Sequence, residues 1–113
     1  MDFLELKEGL VAPEKVRDYL LSREHPVGRF KAVFFLSLGY AREQWSLLAE
    51  DLRKHAAEGF VGEGTTGPYG TKYVVRGTLR GPNGRRADVL AVWIVRRGEN
   101  APRFVTAYPG GKS

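Results

Sequence analysis

The sequence predicts an α+β domain in which about three N-terminal helices pack on one face of an antiparallel β-meander of three or four strands. Two observations support this prediction. The 113 residues are 42% hydrophobic and 27% charged, which is the size and balance of one globular domain. Apolar residues follow helical spacing to about residue 58, and strand-like runs begin after it. We therefore treat residues 1–113 as one domain, with a helical part at about 13–58 and a sheet part at about 60–109.

Three helices are predicted, over residues 13–22, 26–38 and 41–58. The first two begin with a proline, which suits the first turn of a helix because no backbone donor is needed there. The second and third stop before glycines, which commonly end helices. In the third helix the apolar residues recur at helical spacing and form one stripe: Trp45, Leu48, Ala49, Leu52 and Ala56.

Three strand-like runs follow a glycine-rich stretch, residues 62–70, which is predicted to be a loop. The runs are Lys72–Arg80, Arg85–Arg96 and Arg103–Tyr108. The segment Gly81–Gly84, with the sequence GPNG, joins the first two runs and is a strong hairpin signal. Residues 98–102 join the last two, so the pattern predicts an antiparallel meander.

The length of the hairpin loop decides which face of the sheet each side chain occupies, because successive residues of a strand alternate. With an even loop, Leu90, Val92 and Ile94 join the apolar face with Asp88, and Trp93 joins the arginines on an open face. An indole among guanidinium groups suits single-stranded RNA, which is bound by stacking and phosphate contacts. The predicted nucleic-acid-binding residues are Arg76, Arg80, Arg85, Arg86 and Trp93. The alternative is a core Trp93 with solvated arginines, and an odd loop would scramble the assignment.

Basic residues are concentrated in the predicted sheet. Residues 1–58 contain nine Lys/Arg and ten Asp/Glu, a net charge of −1, whereas residues 59–113 contain nine Lys/Arg and three acids, a net charge of +6. This asymmetry favours a polyanionic partner such as a nucleic acid. A charged surface that only maintains solubility is the alternative.

Two residues at the second helix suggest chemistry. Lys31 falls inside the apolar arc of this helix, where a charge is costly unless it is paired, snorkels to water, or lines a cleft. His25 lies at the helix N-terminus, where the dipole disfavours imidazolium and leaves a neutral ring able to accept a proton. A snorkelling lysine and a capping or surface histidine are the alternatives. His55, in the third helix, is interpreted as a surface residue.

Several other functions are disfavoured. The absence of cysteine excludes disulfides, thiolate nucleophiles and cysteine metal sites. Two histidines with few clustered acids offer no metal-ligand spacing, and no nucleotide-binding loop pattern is present, so neither metal nor cofactor is expected. Apolar runs such as Ala32–Leu36 and Val89–Val95 are too short to span a membrane. We expect a cytoplasmic protein without a membrane partner.

Five segments of the sequence resemble, in order, the motifs of a family of small uncharacterised bacterial domains. The segments are HPVGRFKAVFF (His25–Phe35), YGTKYVV (Tyr69–Val75), LRGPNGR (Leu79–Arg85), VWIV (Val92–Val95) and PRFVTAYP (Pro102–Pro109). The corresponding family motifs read HPxGxxK, YGxxY, LxGPNG, WI and PRxVTxYP. The resemblance extends from about Leu10 to Pro109 and identifies a family without implying a particular activity.

The layout also resembles, more loosely, the barnase–EndoU–colicin–RelE-like ribonucleases, which place helices before a curved antiparallel sheet. That resemblance implies metal-independent RNA cleavage by attack of the 2′-hydroxyl on the adjacent phosphate. By position it implies that His25, Lys31, Thr106 and Tyr108 are catalytic and that Arg76 holds phosphate. The protein would then be the toxin half of a toxin–antitoxin pair, with RNA and an acidic antitoxin-like protein as partners. The alternative is a noncatalytic module that binds RNA, an acidic protein or a second copy of itself.

Overall fold

The computed structural model describes residues 9–26 and 29–110. The helical elements are α1 (Pro13–Lys15), a π-helical segment (Val16–Leu20), α2 (Arg29–Ser37), a 3-10 turn (Arg42–Gln44) and α3 (Trp45–Glu58). The strands are β1 (Phe60–Val61), β2 (Thr65–Gly67), β3 (Gly70–Arg80), β4 (Arg86–Arg96) and β5 (Arg103–Pro109). The predicted α+β class is confirmed. The chain order is less simple than helices followed by a sheet. Leu10, which precedes α1, forms a parallel β-bridge with Arg103 of β5.

The sheet formed by the described residues has five strands, so the prediction of three or four is wrong. The strands β3, β4 and β5 form the antiparallel meander, and β1 and β2 both pair with β3. Strands of two and three residues are too short to show an alternating pattern in the sequence. They form because the long β3 offers them hydrogen-bonding partners. Part of the stretch 62–70 is therefore a β2–β3 hairpin with Pro68 and Tyr69 at its turn, and not a loop.

The β3–β4 loop has an odd number of residues, which reverses the faces predicted for β4 by an even loop. Arg80 pairs with Arg86, so the loop is Gly81–Arg85. Trp93 consequently lies in the core, where it is 0% exposed and its ring meets Phe104 edge-on at 5.4 Å between centroids. The hypothesis that Trp93 stands on an open face and contacts RNA is therefore wrong, because no base can reach the indole.

We call the sheet face that points away from this core the outer face. It is made of alternate residues of three strands: Lys72, Val74, Arg76, Leu90, Val92, Ile94, Thr106 and Tyr108. Asp88 lies on this side as well, contrary to the even-loop prediction, and is ion-paired with Arg76. The basic face of the sheet therefore contains one acidic residue, and this residue forms an ion pair with one of the arginines of the face.

The α3 helix packs on the core face of the sheet. Leu48, Leu52 and Ala56 of its predicted stripe are fully buried. His55 is buried rather than at the surface, because its Nε2 lies 3.2 Å from the carbonyl oxygen of Gly77 and 2.9 Å from that of Val89. Since both neighbours are acceptors, Nε2 holds the proton and donates to them. A side chain at Gly77 would come within 3.2 Å of the Gly59 Cα, a tight approach, and would make an ordinary contact with the imidazole at 3.4 Å.

The first helix is not the regular helix predicted for residues 13–22. After Lys15 it widens into the π-helical segment, in which the Leu21 amide donates to the Val16 carbonyl at 2.9 Å. The predicted apolar face is nevertheless confirmed, since Val16 and Leu20 are both fully buried. The extra residue in the turn lets these two residues pack in the core while Tyr19, between them, points towards β5.

The GPNG hairpin loop docks on the C-terminal end of α2. The helix was predicted over residues 26–38 and is found over Arg29–Ser37, with Val27 and Gly28 outside the described residues. Gly39 ends it with a φ of +97°. Asn83 then satisfies two terminal carbonyls, through its side-chain amide to Ser37 at 2.9 Å and its backbone amide to Leu38 at 3.3 Å. This motif therefore has a structural role.

Candidate functional site

Tyr19 is the centre of a cluster of polar side chains at β5. The Lys31 ammonium donates a hydrogen bond to the Tyr19 hydroxyl at 2.8 Å. The Thr106 hydroxyl lies 3.2 Å from the same oxygen, and either group can donate. The His25 ring meets the Tyr19 ring edge-on, with 5.0 Å between centroids and an interplanar angle of 83°. We call Tyr19, His25, Lys31 and Thr106 the Tyr19 cluster.

The cluster contains three of the four residues predicted to be catalytic. His25, which precedes α2, and Lys31, in its first turn, approach the last strand through one intervening phenol. Lys31 is half-buried, and its ammonium donates to the Tyr19 hydroxyl, so it lines a polar cluster instead of lying in the apolar core. The sequence analysis did not single out Tyr19. The only sequence feature that could have indicated Tyr19 is its hydroxyl-bearing side chain between two core positions, Val16 and Leu20.

The surroundings lower the pKa of the Tyr19 phenol. Burial, the largest influence, raises the pKa of Tyr19, but the hydrogen bonds with Lys31 and Thr106 and the charges of Lys31 and Lys15 lower it. The net result is a pKa below the ordinary tyrosine value. A phenol of this kind gives up its proton more readily and, once ionised, is stabilised by the adjacent ammonium. The cluster can therefore transfer protons and stabilise negative charge.

The π-helical segment positions Tyr19, and surface ion pairs hold that segment in place. Asp18 accepts hydrogen bonds from Arg17 at 2.9 Å and from Arg42 of the 3-10 turn at 2.8 Å. The hydrogen bonds from Arg17 and Arg42 lower the pKa of Asp18 to about 2. The Arg42 guanidinium also donates to the Arg17 carbonyl at 3.0 Å. Single π-helical turns are rare and often occur at functional sites.

Tyr108 and Arg76 lie beside the cluster on the outer face. Tyr108 is opposite Leu90, which is opposite Arg76, so the three form one row across the sheet. With strands about 5 Å apart, about 10 Å separates the backbones of Tyr108 and Arg76. Within the described chain no hydrogen bond joins Tyr108 to the cluster. The Arg76 guanidinium is held by Asp88, with nitrogen–oxygen distances of 2.8 and 3.0 Å.

The other arginines predicted to bind nucleic acid lie away from the cluster. Arg80, Arg85 and Arg86 are exposed around the β3–β4 hairpin. Arg86 lies six positions before Val92, the residue opposite Thr106, which corresponds to about 20 Å of strand. The structure therefore brings together the predicted helical and last-strand residues, but not the hairpin arginines.

No helix in the described part of the chain is long and apolar enough to cross a membrane.

Comparisons with known proteins found one family and a solved structure that are similar to this chain. No curated protein matches the sequence. Among solved structures, a chain from a contact-dependent growth inhibition toxin–immunity protein complex of Klebsiella pneumoniae 342 has a similar fold, with a TM-score of 0.70 and 19% identity. The match covers 96% of this chain and 98% of that chain. Residues 4–111 match the family described as Domain of unknown function (DUF6883), and the chain belongs to this family.

Proposed function

We propose that this protein is a metal-independent endoribonuclease of the toxin type and that the Tyr19 cluster is its active site. The observation that supports this proposal best is the convergence of Lys31, His25 and Thr106 on one acidic phenol. These groups supply proton transfer and positive charge from the chain itself. The cluster adjoins the basic sheet, which suits a polyanionic substrate.

The proposed reaction is an internal transfer at one RNA phosphate. The 2′-oxygen attacks the adjacent phosphorus while its proton passes to a base of the protein. The bond from phosphorus to the 5′-oxygen then breaks, and that oxygen takes a proton from an acid of the protein. The products are a 2′,3′-cyclic phosphate and a free 5′-hydroxyl, so protons and electrons balance without another reactant.

Each residue of the site has a role in this reaction. His25 and Tyr19 are the two proton-transfer groups, one as base and the other as acid. Lys31 and Arg76 stabilise the negative charge that develops on the phosphate oxygens. For Arg76 this means exchanging its Asp88 contact for the phosphate. Thr106 and Tyr108 position the scissile phosphate by hydrogen bonds.

The toxin-type role rests on the structural comparison and on charge. The similar fold comes from a toxin–immunity protein complex, and the resemblance extends over nearly the whole of both chains. The C-terminal half of this chain has a net charge of +6, which suits RNA and would also suit an acidic protein inhibitor. We therefore propose a partner of the immunity or antitoxin kind.

Incubation of the purified protein with labelled mixed-sequence RNA in EDTA tests the activity. We expect cleavage to 2′,3′-cyclic phosphate ends, reduced about 10²–10⁴-fold in His25→Ala and strongly reduced in Lys31→Ala. Lys54→Ala, on the exposed side of α3, is the matched control and should cleave like the wild type. Equal cleavage by His25→Ala, Lys31→Ala and the wild type would remove the cluster from the mechanism.

A noncatalytic RNA- or protein-binding module is the second candidate. Large apolar side chains are exposed on separate elements, with Phe60 of β1 at 76% and Val33 of α2 at 70%, and each offers apolar area that a partner can cover. This function predicts that RNA remains intact in the same assay and that the His25→Ala and Lys31→Ala variants bind their partner like the wild type.

A further inference from the structure

A second polar site lies on the outer face, at the end of the sheet where β2 turns into β3. The residues that line a shallow groove there include the Tyr69 ring, three cations and two apolar side chains: Tyr69, Lys72, Ile94, Arg96, Arg97 and Val105. The Tyr69 side chain is 80% exposed, although tyrosine rings usually pack against neighbouring residues. The function proposed above does not use this aromatic ring.

The backbone holds Tyr69 in a fixed position. Gly70 has a φ of +149°, and a side chain there would collide with the Val95 carbonyl oxygen, so the hairpin turn lies directly against β4. The Arg97 amide donates to the Tyr69 carbonyl at 3.2 Å. The exposed ring is therefore presented by a well-anchored turn, which reduces the entropy lost when a ligand stacks on it.

The three cations of the groove are available to an anion. Lys72, Arg96 and Arg97 are exposed, and none takes part in a salt bridge within the described residues. The acid of the groove, Glu99, is already paired with Arg103 at 2.9 Å. An anion at this groove therefore meets a net positive charge.

The groove and the Tyr19 cluster are neighbours along β4 and β5. Val105 directly precedes Thr106 in β5, and Ile94 is two residues from Val92, which is opposite Thr106. From Val92 to Arg96 the strand β4 extends about 13 Å. A ligand that reaches the cluster can therefore also contact the groove.

We infer that this groove is a subsite for a single-stranded RNA segment that flanks the phosphate at the Tyr19 cluster. A base stacks on the Tyr69 ring, and the neighbouring phosphates contact Lys72, Arg96 and Arg97. An exposed aromatic ring between cations is the combination that binds single-stranded nucleic acid without strict sequence preference. The position of this subsite beside a scissile phosphate rests on the proposed function. Binding of RNA at the groove can nevertheless be measured without catalysis.

The test measures fluorescence anisotropy of a labelled, fully 2′-O-methylated RNA oligonucleotide, which cannot be cleaved by this reaction. We expect Tyr69→Ala to weaken binding about tenfold, and Tyr69→Phe to bind like the wild type because stacking remains. Leu47→Ala removes an exposed apolar side chain of α3, outside the groove and on the other side of the sheet, and should not change the affinity. Arg97→Ala should lower the salt dependence of log K by about 0.7, the share of one phosphate contact.

The outcomes separate this inference from the proposed function. Unchanged affinity in Tyr69→Ala overturns the subsite, even if the wild type cleaves RNA. Weaker binding by Tyr69→Ala together with no cleavage by the wild type supports the subsite and overturns the ribonuclease. If the wild type does not bind the oligonucleotide, and Tyr69→Ala instead weakens binding of an acidic protein partner, the groove is a protein-binding surface and the inference is wrong.

Discussion

Tyr19 owes its chemistry to a single contact of 2.8 Å with the Lys31 ammonium and to its position between helix and strand. An ammonium donating to a phenol favours the ionised oxygen, because the phenolate gains both a hydrogen bond and an opposite charge. The Thr106 hydroxyl adds a second hydrogen bond. The residue therefore behaves differently from a tyrosine at an ordinary surface.

The Tyr19→Phe substitution tests this chemistry. We expect RNA cleavage to fall about 10²–10⁴-fold, the usual contribution of one proton-transfer group, while the ring contact with His25 remains. In a near-UV titration of the folded protein, the variant should lose a tyrosine that ionises below the ordinary tyrosine pKa. Wild-type cleavage rates, or an unchanged titration curve, would contradict the assignment.

The same substitution should change the pH dependence of stability. The pKa of Tyr19 is lower in the folded than in the unfolded chain, so its contribution to stability is complete above the unfolded value of about 10 and is lost as the pH falls through the folded value. Relative to Tyr19→Phe, the wild type should therefore gain stability across that window as the pH rises. Urea unfolding of both proteins at several alkaline pH values measures the difference.

At the scale of elements, the positions of the Tyr19 cluster residues depend on two local irregularities of the backbone. The π-helical segment turns Tyr19 towards β5, and the five-residue β3–β4 loop docks on the end of α2. The second contact anchors α2, which positions Lys31. An irregular turn therefore supports each side of the Tyr19 cluster.

The Asn83→Ala substitution tests the docking of the loop. The Asn83 side chain donates to the Ser37 carbonyl at 2.9 Å and accepts from the Arg85 amide at 3.0 Å. Because the side chain is exposed, we expect a loss of about 1 kcal/mol in the free energy of unfolding, measured with urea. Pro82→Ala, in the same loop, is the control for an effect of the loop sequence alone. A loss equal to that of Pro82→Ala would show that the docking hydrogen bonds add nothing.

At the scale of the whole molecule, the net positive charge and most residues of the Tyr19 cluster lie in different halves of the chain. The two halves meet at β5. The helical half is nearly neutral and supplies His25, Tyr19 and Lys31, whereas the sheet half has a net charge of +6. In the proposed function, the sheet attracts the substrate and the helices supply the proton-transfer groups. This division agrees with a small enzyme that acts on a large polyanion.

Growth inhibition is the cellular consequence of the proposed function. We expect induced expression in a bacterial host to stop growth, and His25→Ala to relieve the inhibition at equal protein level. A control with Lys54→Ala should inhibit like the wild type. Normal growth with abundant folded wild-type protein, and no inhibitor present in the host, would oppose a toxin-type role.

The sequence by itself determined the elements whose signals are local. The glycine after α2 has the left-handed φ that ends a helix, the stripe of α3 is buried, and the three long strands occur where the alternation predicted them. It also determined which residues to test near the start of α2 and in β5. These features follow from backbone preferences and hydrophobic spacing, which act over a few residues.

Only the tertiary structure decided which residues meet. A loop with an odd number of residues, and not an even one, placed Trp93 in the core and Leu90 on the outer face, because successive residues of a strand alternate between faces. The composition of the loop does not determine whether its length is odd or even. The contact between Tyr19 and Thr106 joins residues 87 positions apart, so no local pattern could predict it. The short strands β1 and β2 likewise exist only because β3 pairs with them. Long-range pairing, which depends on the whole chain being folded, therefore assembled the candidate site from locally predictable pieces.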